Sequence, residues 1–441
     1  MFIINFILDC GASVMLPIII FILGIIMGAG VSKSFKSGIT IGIGFTGISL
    51  VTGLLSDELG PVAQQMTERL GLHMDIIDIG WPAMSSITWA WSAAGLMIPI
   101  CLGVNILMLA LKLTKTMNVD VWNYWQFAFI GAAVSVATNS IPIGLAFGAV
   151  SSALALVLAD LTQPYIEKYF NMPGISFPHL TALGCLPVVY PLVWILDRIP
   201  GLNKININAD SLRKKFGIFG EPMMMGLIIG IVLGALAGAK PQVILQTGIG
   251  LAAVMYLMPK MVACLMEGLM PIAEAAKEFA NKRLGGRSVN IGMDAALTVG
   301  HSTVMSTNLL MVPISLALAI ILPGNQTLPF GDLAFYAFGI CLMIPIFRGN
   351  VVRSIVGCSI YMVSMLYLST WLAPIITNVF KIAHYNVGTS GQVTSVLCGI
   401  WPAGLFAVAT KSLGNIGLAV IGVVVIALLV YVNKIRAQKE N

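Results

Sequence analysis

Long apolar runs separated by short polar stretches recur along the whole chain of 441 residues. Many of these runs reach about 18 residues, the length of helix that crosses the hydrocarbon core of a bilayer. Charged residues make up 10% of the chain, whereas an average soluble domain contains about 25%. The sequence therefore predicts an all-α polytopic membrane protein with about 11 transmembrane helices. Residues 1–9 contain no basic region, so we expect the first helix to be retained rather than cleaved.

Basic residues lie in separate clusters beside the apolar runs and not in one patch. Such clusters mark cytoplasmic loops under the positive-inside rule, which predicts an external N-terminus and a cytoplasmic C-terminus and argues against a nucleic-acid partner. The seven cysteines are scattered without metal-ligand spacing, so neither a disulfide framework nor a metal site is expected. The basic clusters are Lys33 and Lys36; Lys112 and Lys115; Lys204, Arg213, Lys214 and Lys215; Lys277, Lys282, Arg283 and Arg287; and Lys434, Arg436 and Lys439.

Three segments are predicted to interrupt the regular pattern of spanning helices. Residues 80–89 contain proline, serine and threonine and are too short to span, which favours a broken helix whose free backbone groups line a cavity. Residues 179–196 are apolar, yet a full crossing would place the basic loop 197–220 outside. We therefore interpret 179–196 as re-entrant, and residues 391–409 as a second candidate of the same kind. Residues 56–78 are expected outside the membrane or at its interface.

The apolar runs also predict where several regular helices begin and end. We expect helices at about 38–55, 241–258 and 333–347. Two more helices should fill about 124–160, with a division between them near 139–142.

Glycines and prolines recur in the same order in the two parts of the chain, which indicates an internal repeat. The predicted halves are residues 1–196 and 221–409, joined by the cytoplasmic loop 197–220 and followed by the last helix and basic tail at 410–441. Because the halves start on opposite sides, we predict an inverted repeat with a shared substrate site near the midplane. In this repeat 79–92 corresponds to 291–306. The matched residues are Gly42 and Gly44 with Gly248 and Gly250, Pro61 with Pro271, Gly80 with Gly292, Pro99 with Pro313, Pro164 with Pro374, and His179 with Gln392.

Residues 290–308 combine a carboxylate, an imidazole and several hydroxyls between long apolar runs. An ionisable side chain at the centre of a bilayer costs roughly 2.5 to 3.5 kcal/mol, so one that is kept there usually has a partner or a ligand. Asp294 and His301 are spaced by about two helical turns, which predicts that both face one side of a helix. The sequence therefore points to polar chemistry in this segment.

Several motifs, in this order, resemble the membrane-embedded enzyme IIC of the bacterial phosphoenolpyruvate-dependent phosphotransferase system, galactitol type. The resemblance covers almost the whole chain, although Met293 replaces a usual leucine and Gln126 stands where related chains often carry histidine. The motifs are Gly42-Ile43-Gly44-Phe45, Asp78-Ile79-Gly80-Trp81-Pro82, Asn118-Val119-Asp120-Val121-Trp122-Asn123, Phe219-Gly220-Glu221-Pro222, Gly292-Met293-Asp294-Ala295-Ala296-Leu297, Gly300-His301, Pro323-Gly324-Asn325, Leu328-Pro329-Phe330-Gly331-Asp332 and Arg348-Gly349-Asn350.

The resemblance implies a homodimeric permease of the bacterial cytoplasmic membrane, with a core domain that moves past a scaffold in an elevator movement. A separate IIB protein, itself supplied by IIA, would phosphorylate galactitol or a similar hexitol on arrival. No cofactor is expected. Because the donor cysteine lies on IIB, whether this chain counts as an enzyme stays open. An ion-coupled secondary transporter of a small polar solute on the same architecture is the alternative.

A neutral polyol needs hydrogen-bond donors and acceptors in place of a counter-charge. Asp294 or His179 is the hypothesised base for phosphoryl transfer. Glu221 suits either docking of IIB or the acidic start of a helix before Pro222. Structural roles in helix packing, helix ends or membrane anchoring remain open for each of these candidates. The predicted substrate-binding residues are Asp294, His301, His179, Gln392, Arg348, Asn350, Gln126, Trp81 and Thr88.

Overall fold

A computed structural model describes most of the chain and shows a mostly helical protein. It describes residues 12–69, 71, 76–78, 80–89, 91–120, 123–199, 221–283, 289–329, 332–382, 392–397, 414, 416–417, 419–432 and 434. Among these residues, three helices are both long and apolar enough to cross a membrane, namely Ile141–Phe170, Ser302–Ile321 and Val351–Lys381. The helical, apolar architecture agrees with the predicted polytopic membrane protein, while the number of about 11 spanning helices stays a prediction.

The helices and strands follow one another in a single order along the chain. The first part contains α1 (Ala12–Ile26), α2 (Val31–Arg69), β1 (Ile76–Asp78), α3 (Gly80–Trp89), α4 (Ala94–Ala110), β2 (Thr116–Asn118), α5 (Tyr124–Thr138), α6 (Ile141–Phe170), β3 (Ile175–Ser176), α7 (Leu180–Leu183) and α8 (Leu186–Leu196). The second part contains α9 (Pro222–Ala237), α10 (Pro241–Arg283), β4 (Asn290–Gly292), α11 (Ala296–Val299), α12 (Ser302–Ile321), β5 (Thr327–Leu328), a 3₁₀ turn (Leu333–Phe335), α13 (Tyr336–Ile340), α14 (Met343–Ile346), α15 (Val351–Ile382) and β6 (Gln392–Thr394). An apolar helix α16 covers Ala419–Val432.

Helices α1, α2, α9 and α10 pack extensively on one another. Small residues make this close packing possible, because a Cβ at Gly230 would lie 2.6 Å from the carbonyl oxygen of Thr247 on the neighbouring helix. A Cβ at Gly38 would likewise lie 2.7 Å from the carbonyl oxygen of Pro17. Glycines of this kind let helices approach each other in lipid, where backbone contact replaces hydrophobic burial.

Two predicted helix ends are wrong, because α2 and α10 continue past them. The second helix was predicted to end near residue 55, yet α2 runs without interruption to Arg69. Similarly, α10 continues beyond the predicted end near 258 to Arg283. Charged and amide side chains such as Glu58 and Gln65 have good helix propensity. The polar residues therefore continue the helical backbone, and their polarity indicates only that this part of each helix lies in a more polar environment.

One predicted division between helices is confirmed, and one stretch that was predicted as a single helix is divided. The predicted division between α5 and α6 is confirmed at Asn139, which is left-handed with φ 52°. The apolar run 179–196 divides into α7 and α8 after Gly184, and its re-entrant path stays a prediction. The predicted helix at 333–347 is wrong, since this stretch forms a 3₁₀ turn followed by α13 and α14. Most of the second re-entrant candidate, 391–409, lies outside the described residues.

Among the described residues, six short strands form two parallel sheets that join the two parts of the chain. In the first sheet, β1 lies between β5 and β6. In the second sheet, β4 lies between β2 and β3. Each sheet thus takes its central strand from one part of the chain and both edge strands from the other. The proposed match of Gly80 with Gly292 is wrong in detail, since Gly80 begins a helix whereas Gly292 lies in β4.

Two buried carboxylates, Asp78 and Asp332, connect the segments that follow the strands of the first sheet. Asp78 accepts hydrogen bonds from the backbone N–H groups of Gly80 at 3.1 Å, Asp332 at 3.0 Å and Val396 at 3.2 Å. Because these donors come from distant parts of the chain, one side chain fixes three segments. The backbone groups would otherwise be buried without partners, which proteins rarely tolerate.

Asp332 joins the same segments through a second set of hydrogen bonds. Its carboxylate accepts hydrogen bonds from the N–H of Trp81 at 2.8 Å, the N–H of Leu397 at 2.9 Å and the hydroxyl of Ser395 at 2.6 Å. The side chain is fully buried. Hydrogen bonds to a buried carboxylate are stronger than neutral ones, so the pair Asp78 and Asp332 is expected to hold α3 in position.

We expect Asp332→Asn to destabilise the protein by about 2 kcal/mol or more, because the new NH₂ group would face N–H and O–H donors. Thermal unfolding in detergent would measure the change. Asp57→Asn, on the exposed surface of α2, provides the matched control and should melt like the wild type. Equal melting temperatures for both variants would contradict the assigned role of Asp332.

Candidate functional site

A small cavity lies where the starts of α3, α5 and α7 meet the segment after β4. Its volume of about 10 Å³ is room for about one water molecule, whereas typical ligand pockets have roughly 300–1,000 Å³. A polyol can therefore enter only when the lining segments move apart. The lining combines a group of polar side chains, the polar wall, with several aromatic rings. The residues that line it are Trp81, Asn123, Trp125, Gln126, His179, Thr181, Asp294 and Phe338.

Asp294 occupies the turn between β4 and α11 and is 8% exposed. Its Oδ1 accepts the N–H of Ala296 at 2.8 Å, and its Oδ2 accepts the side-chain amide of Asn123 at 2.9 Å. The same amide nitrogen of Asn123 also donates to the carboxylate of Asp120. One amide therefore lies between two carboxylates. Since a carboxylate offers about four lone-pair positions, Asp294 retains acceptor capacity toward the cavity.

His179 precedes α7 and caps its N-terminus. Its Nδ1 accepts the N–H of Ala182 at 3.3 Å, while its Nε2 lies 3.0 Å from the amide nitrogen of Gln126 and 3.7 Å from Oδ1 of Asp294. With Nδ1 as the acceptor, the proton of the neutral ring is on Nε2. The imidazole then presents a donor beside the carboxylate of Asp294.

Gln126 is oriented by two neighbours in α7. Its Oε1 accepts the N–H of Leu180 at 2.7 Å, so its nitrogen points the other way, toward His179 and the hydroxyl of Thr181 at 3.2 Å. The neutral imidazole of His179 can accept at only one ring nitrogen. Because Nδ1 of His179 accepts from Ala182, the N–H of Gln126 that lies beside Nε2 has no acceptor on the ring. An oxygen in the cavity, which Gln126 lines, would accept this hydrogen bond.

Aromatic rings form the rest of the lining. The rings of Trp81 and Trp125 are stacked with centroids 5.9 Å apart, and Phe338 stacks on His179 at 6.2 Å. The indole nitrogens of Trp81 and Trp125 are buried and have no hydrogen-bond partner among the described residues. Unpaired buried donors are costly and call for an explanation, such as a bound group. The site can therefore cover C–H faces with rings while it pairs hydroxyls on the polar side.

Comparison with known proteins agrees with this chemistry. The family model for the sugar-specific permease component of the PTS system, EIIC-GAT, matches residues 6–391. The chain belongs to this family. The galactitol-specific EIIC component of the PTS system from Escherichia coli K12 is 40% identical over 366 residues, which cover 83% of this chain and 81% of that protein. A putative permease IIC component from the same strain is 35% identical over 422 residues, covering 96% and 95% of the two chains.

In this PTS permease component the structure brings four of the predicted site residues together, namely Asp294, His179, Gln126 and Trp81. Sequence reasoning missed other lining residues and the nearby carboxylate of Asp120. The available signal was Asp120, which lies with two asparagines and a glutamine among the apolar residues of 118–127. The missed residues are Asn123, Trp125, Thr181, Phe338 and Asp120.

Two predicted site residues lie elsewhere in the fold. The hydroxyl of Thr88 donates to the carbonyl oxygen of Met84 at 2.8 Å within α3, so it satisfies its own helix. Gln392 begins β6, where it pairs with Ile76 and is exposed. Gln392 does not line the cavity, so its role in substrate binding and its match with His179 in the repeat stay predictions.

The prediction that Asp294 and His301 share one helix face is wrong. The chain forms the short helix α11 after Asp294 and then turns at Gly300, so the two residues belong to different elements. His301 caps α12, with Nδ1 accepting the N–H of Thr303 at 3.3 Å, and its ring packs on Tyr169 and Phe170. His301 does not line the cavity.

Arg348 and Asn350 are also outside the cavity. Asn350 accepts the N–H of Arg353 at 3.1 Å and so stabilises the start of α15. The exposed guanidinium of Arg348 lies 3.8 Å from the carboxylate of Asp197. Both residues sit at a helix junction and do not line the cavity, so their roles in substrate binding stay predictions.

Glu221 immediately precedes Pro222 at the first position of α9 and has an extended backbone. This geometry agrees with the helix-start interpretation, because proline at the first helical position needs no N–H partner. Docking of IIB at Glu221 stays a prediction. Among the described residues, no group of three or more His, Cys, Asp and Glu side chains is arranged to hold a metal ion.

Asn123→Asp should destabilise the protein at neutral pH, because it places a third carboxylate between Asp120 and Asp294. Protonation relieves this repulsion, so the loss of stability should shrink as the pH falls. Melting temperatures measured at pH 7.5 and pH 5.5 would show the difference. Gln242→Glu, which adds the same charge on the exposed surface of α10, should have little effect at either pH. A pH-independent loss in Asn123→Asp would contradict the proposed contact.

Proposed function

We propose that this permease imports galactitol or a similar hexitol and that a separate IIB protein phosphorylates the sugar alcohol during import. The observation that carries the proposal is the cavity that Asp294, His179 and Gln126 line together with the ring of Trp81. The 40% identity to a galactitol-specific component supports the substrate class. The relatives are phosphotransferase components, so an ion-coupled transporter on the same architecture is not favoured.

The polar wall suits a neutral, linear polyol. Asp294 offers acceptor positions for two hydroxyls, and the N–H groups of Gln126 and His179 offer donors beside them. A charged substrate would instead require a counter-ion in the wall, and a carboxylate would repel an anion. The indoles of Trp81 and Trp125 would cover the carbon chain and could donate to its hydroxyls.

In the phosphoryl-transfer step, we assign Asp294 as the base and His179 as a donor that orients the attacking hydroxyl. The oxygen of that hydroxyl attacks the phosphorus of the phosphocysteine on IIB, a new O–P bond forms and the S–P bond breaks, and the thiolate leaves. The hydroxyl proton passes to a carboxylate oxygen of Asp294. The 3.7 Å between His179 Nε2 and Asp294 Oδ1 would allow one hydroxyl to contact both, which supports this assignment.

We also propose the transport architecture. The succession α1, α2, β1, α3, α4 in the first part resembles α9, α10, β4, α11, α12 in the second, and the exchange of strands between the two sheets supports two related halves. The halves would be residues 1–196 and 221–409, in opposite orientation, with the N-terminus outside and the C-terminus cytoplasmic. A homodimer would anchor the scaffold while the core domain carries the polyol across the membrane.

Membrane vesicles loaded with phosphoenolpyruvate and the soluble partners test this proposal. Galactitol should accumulate inside as its phosphate without any ion gradient; free galactitol driven by a proton or sodium gradient would refute group translocation. Asp294→Asn should slow phosphorylation at least about 100-fold, since it removes the base. His179→Gln, which keeps a donor, should chiefly weaken binding. The control Thr88→Val should behave like the wild type, and near-normal phosphorylation in Asp294→Asn would remove this residue from the role of base.

A further inference from the structure

Two sequence motifs that lie outside the cavity meet at the far end of α6. The hydroxyl of Tyr169 donates to Oγ1 of Thr303 at 3.2 Å, and its ring lies 5.2 Å from that of His301. The same hydroxyl lies against the backbone of Gly349, where a Cβ would be only 2.5 Å from its oxygen. The segments 300–303 and 348–350 are thus packed together around one side chain.

A charge cluster lies beside this contact. The carboxylate of Asp197, at the end of α8, lies 2.6 Å from Nη1 of Arg353 and 3.8 Å from Nη2 of Arg348. Arg353 is buried, whereas the side chain of Arg348 is 79% exposed. One carboxylate faces two guanidinium groups, so this cluster of Arg348, Asp197 and Arg353 carries a net positive charge.

The two arginines are held differently. Arg353 is fixed by a short, largely buried ion pair, and its position at the start of α15 is stabilised further by Asn350. Arg348 makes a long, solvent-exposed pair of the kind that contributes little and exchanges readily. Its backbone is left-handed with φ 57°, followed by Gly349 with φ 73°. Asparagine or glycine would adopt this left-handed backbone more easily than arginine. The turn therefore carries an arginine at a position where the backbone conformation disfavours that residue type.

We propose that the cluster of Arg348, Asp197 and Arg353 is the docking surface for an acidic face of the phosphorylated IIB protein. Arg348 leaves Asp197 and pairs with an acidic or phosphoryl group of the partner, while Arg353 keeps Asp197 in place. This inference rests on the proposed function, because only a phosphotransferase permease needs such a partner. The positive-inside rule expects the cluster on the cytoplasmic side, where Asp197 precedes a basic stretch of sequence and where a soluble phosphocarrier arrives.

The experiment measures binding of phosphorylated IIB to the full-length permease in nanodiscs of zwitterionic lipid without any polyol. Arg348→Asn removes the charge and suits the left-handed backbone, so the fold should be preserved. It should weaken binding of IIB by about threefold to tenfold, mainly through a slower association rate, and should make binding less sensitive to salt. Arg348→Lys should retain most of the affinity. Lys240→Gln is the control and should have no effect, because it removes an exposed charge just after the C-terminal end of α9, outside the cluster.

Unchanged binding of IIB in Arg348→Asn, or an equal loss in Lys240→Gln, would overturn the proposal. A loss of galactitol affinity or a lower melting temperature in Arg348→Asn would assign Arg348 to the fold and would also overturn it. An effect confined to nanodiscs with anionic lipid would identify a lipid-headgroup site instead. Wild-type permease that binds IIB through Arg348 but phosphorylates no hexitol would refute the proposed substrate and leave the docking surface intact.

Discussion

The side-chain amide of Asn123 donates to two carboxylates from distant parts of the chain, Asp120 between β2 and α5 and Asp294 after β4. Carboxylates placed this close repel each other unless donors lie between them or a proton is shared. The amide therefore allows the second sheet and α5 to meet without closing the cavity. The position of Asp294, and with it the polar wall of the site, depends on this contact.

The first sheet contains a related arrangement with a different outcome. Asp78 and Asp332 receive six hydrogen bonds, mostly from backbone N–H groups. Their acceptor capacity is used within the protein, and the result is a rigid anchor for α3. Around Asp294, fewer acceptor positions are used by the protein, so capacity remains for a ligand. The buried carboxylates beside the first sheet therefore have a structural role, whereas Asp294 beside the second sheet lines the candidate binding site.

The sequence allowed the membrane class and part of the site to be predicted, because both depend on local composition. Asp294 and His179 stand out as ionisable groups within apolar runs, and such groups need partners in a membrane protein. The strands could not be predicted, since two or three residues are too few to display a period of two. Without the strands, the break between Asp294 and His301 was invisible, and a continuous helix placed both on one face.

Other errors have the same physical origin. The ends of α2 and α10 were misplaced because polarity reports the environment of a helix and not its backbone. Asn123 was missed because an amide between two carboxylates becomes meaningful only when Asp120 and Asp294 are brought together from different parts of the chain. Arg348 was a candidate for substrate binding, yet the turn before α15 exposes its side chain away from the cavity. Contacts between distant segments decided each of these cases.

The most direct measurement is an experimental structure of the permease with galactitol bound. We predict density for the polyol between Asp294 and His179, with a hydroxyl within hydrogen-bonding distance, about 3 Å, of both the carboxylate and Nε2. The carbon chain should lie against Trp81. Galactitol bound elsewhere, for example beside His301 and Arg348, with the cavity at Asp294 unfilled, would contradict the account.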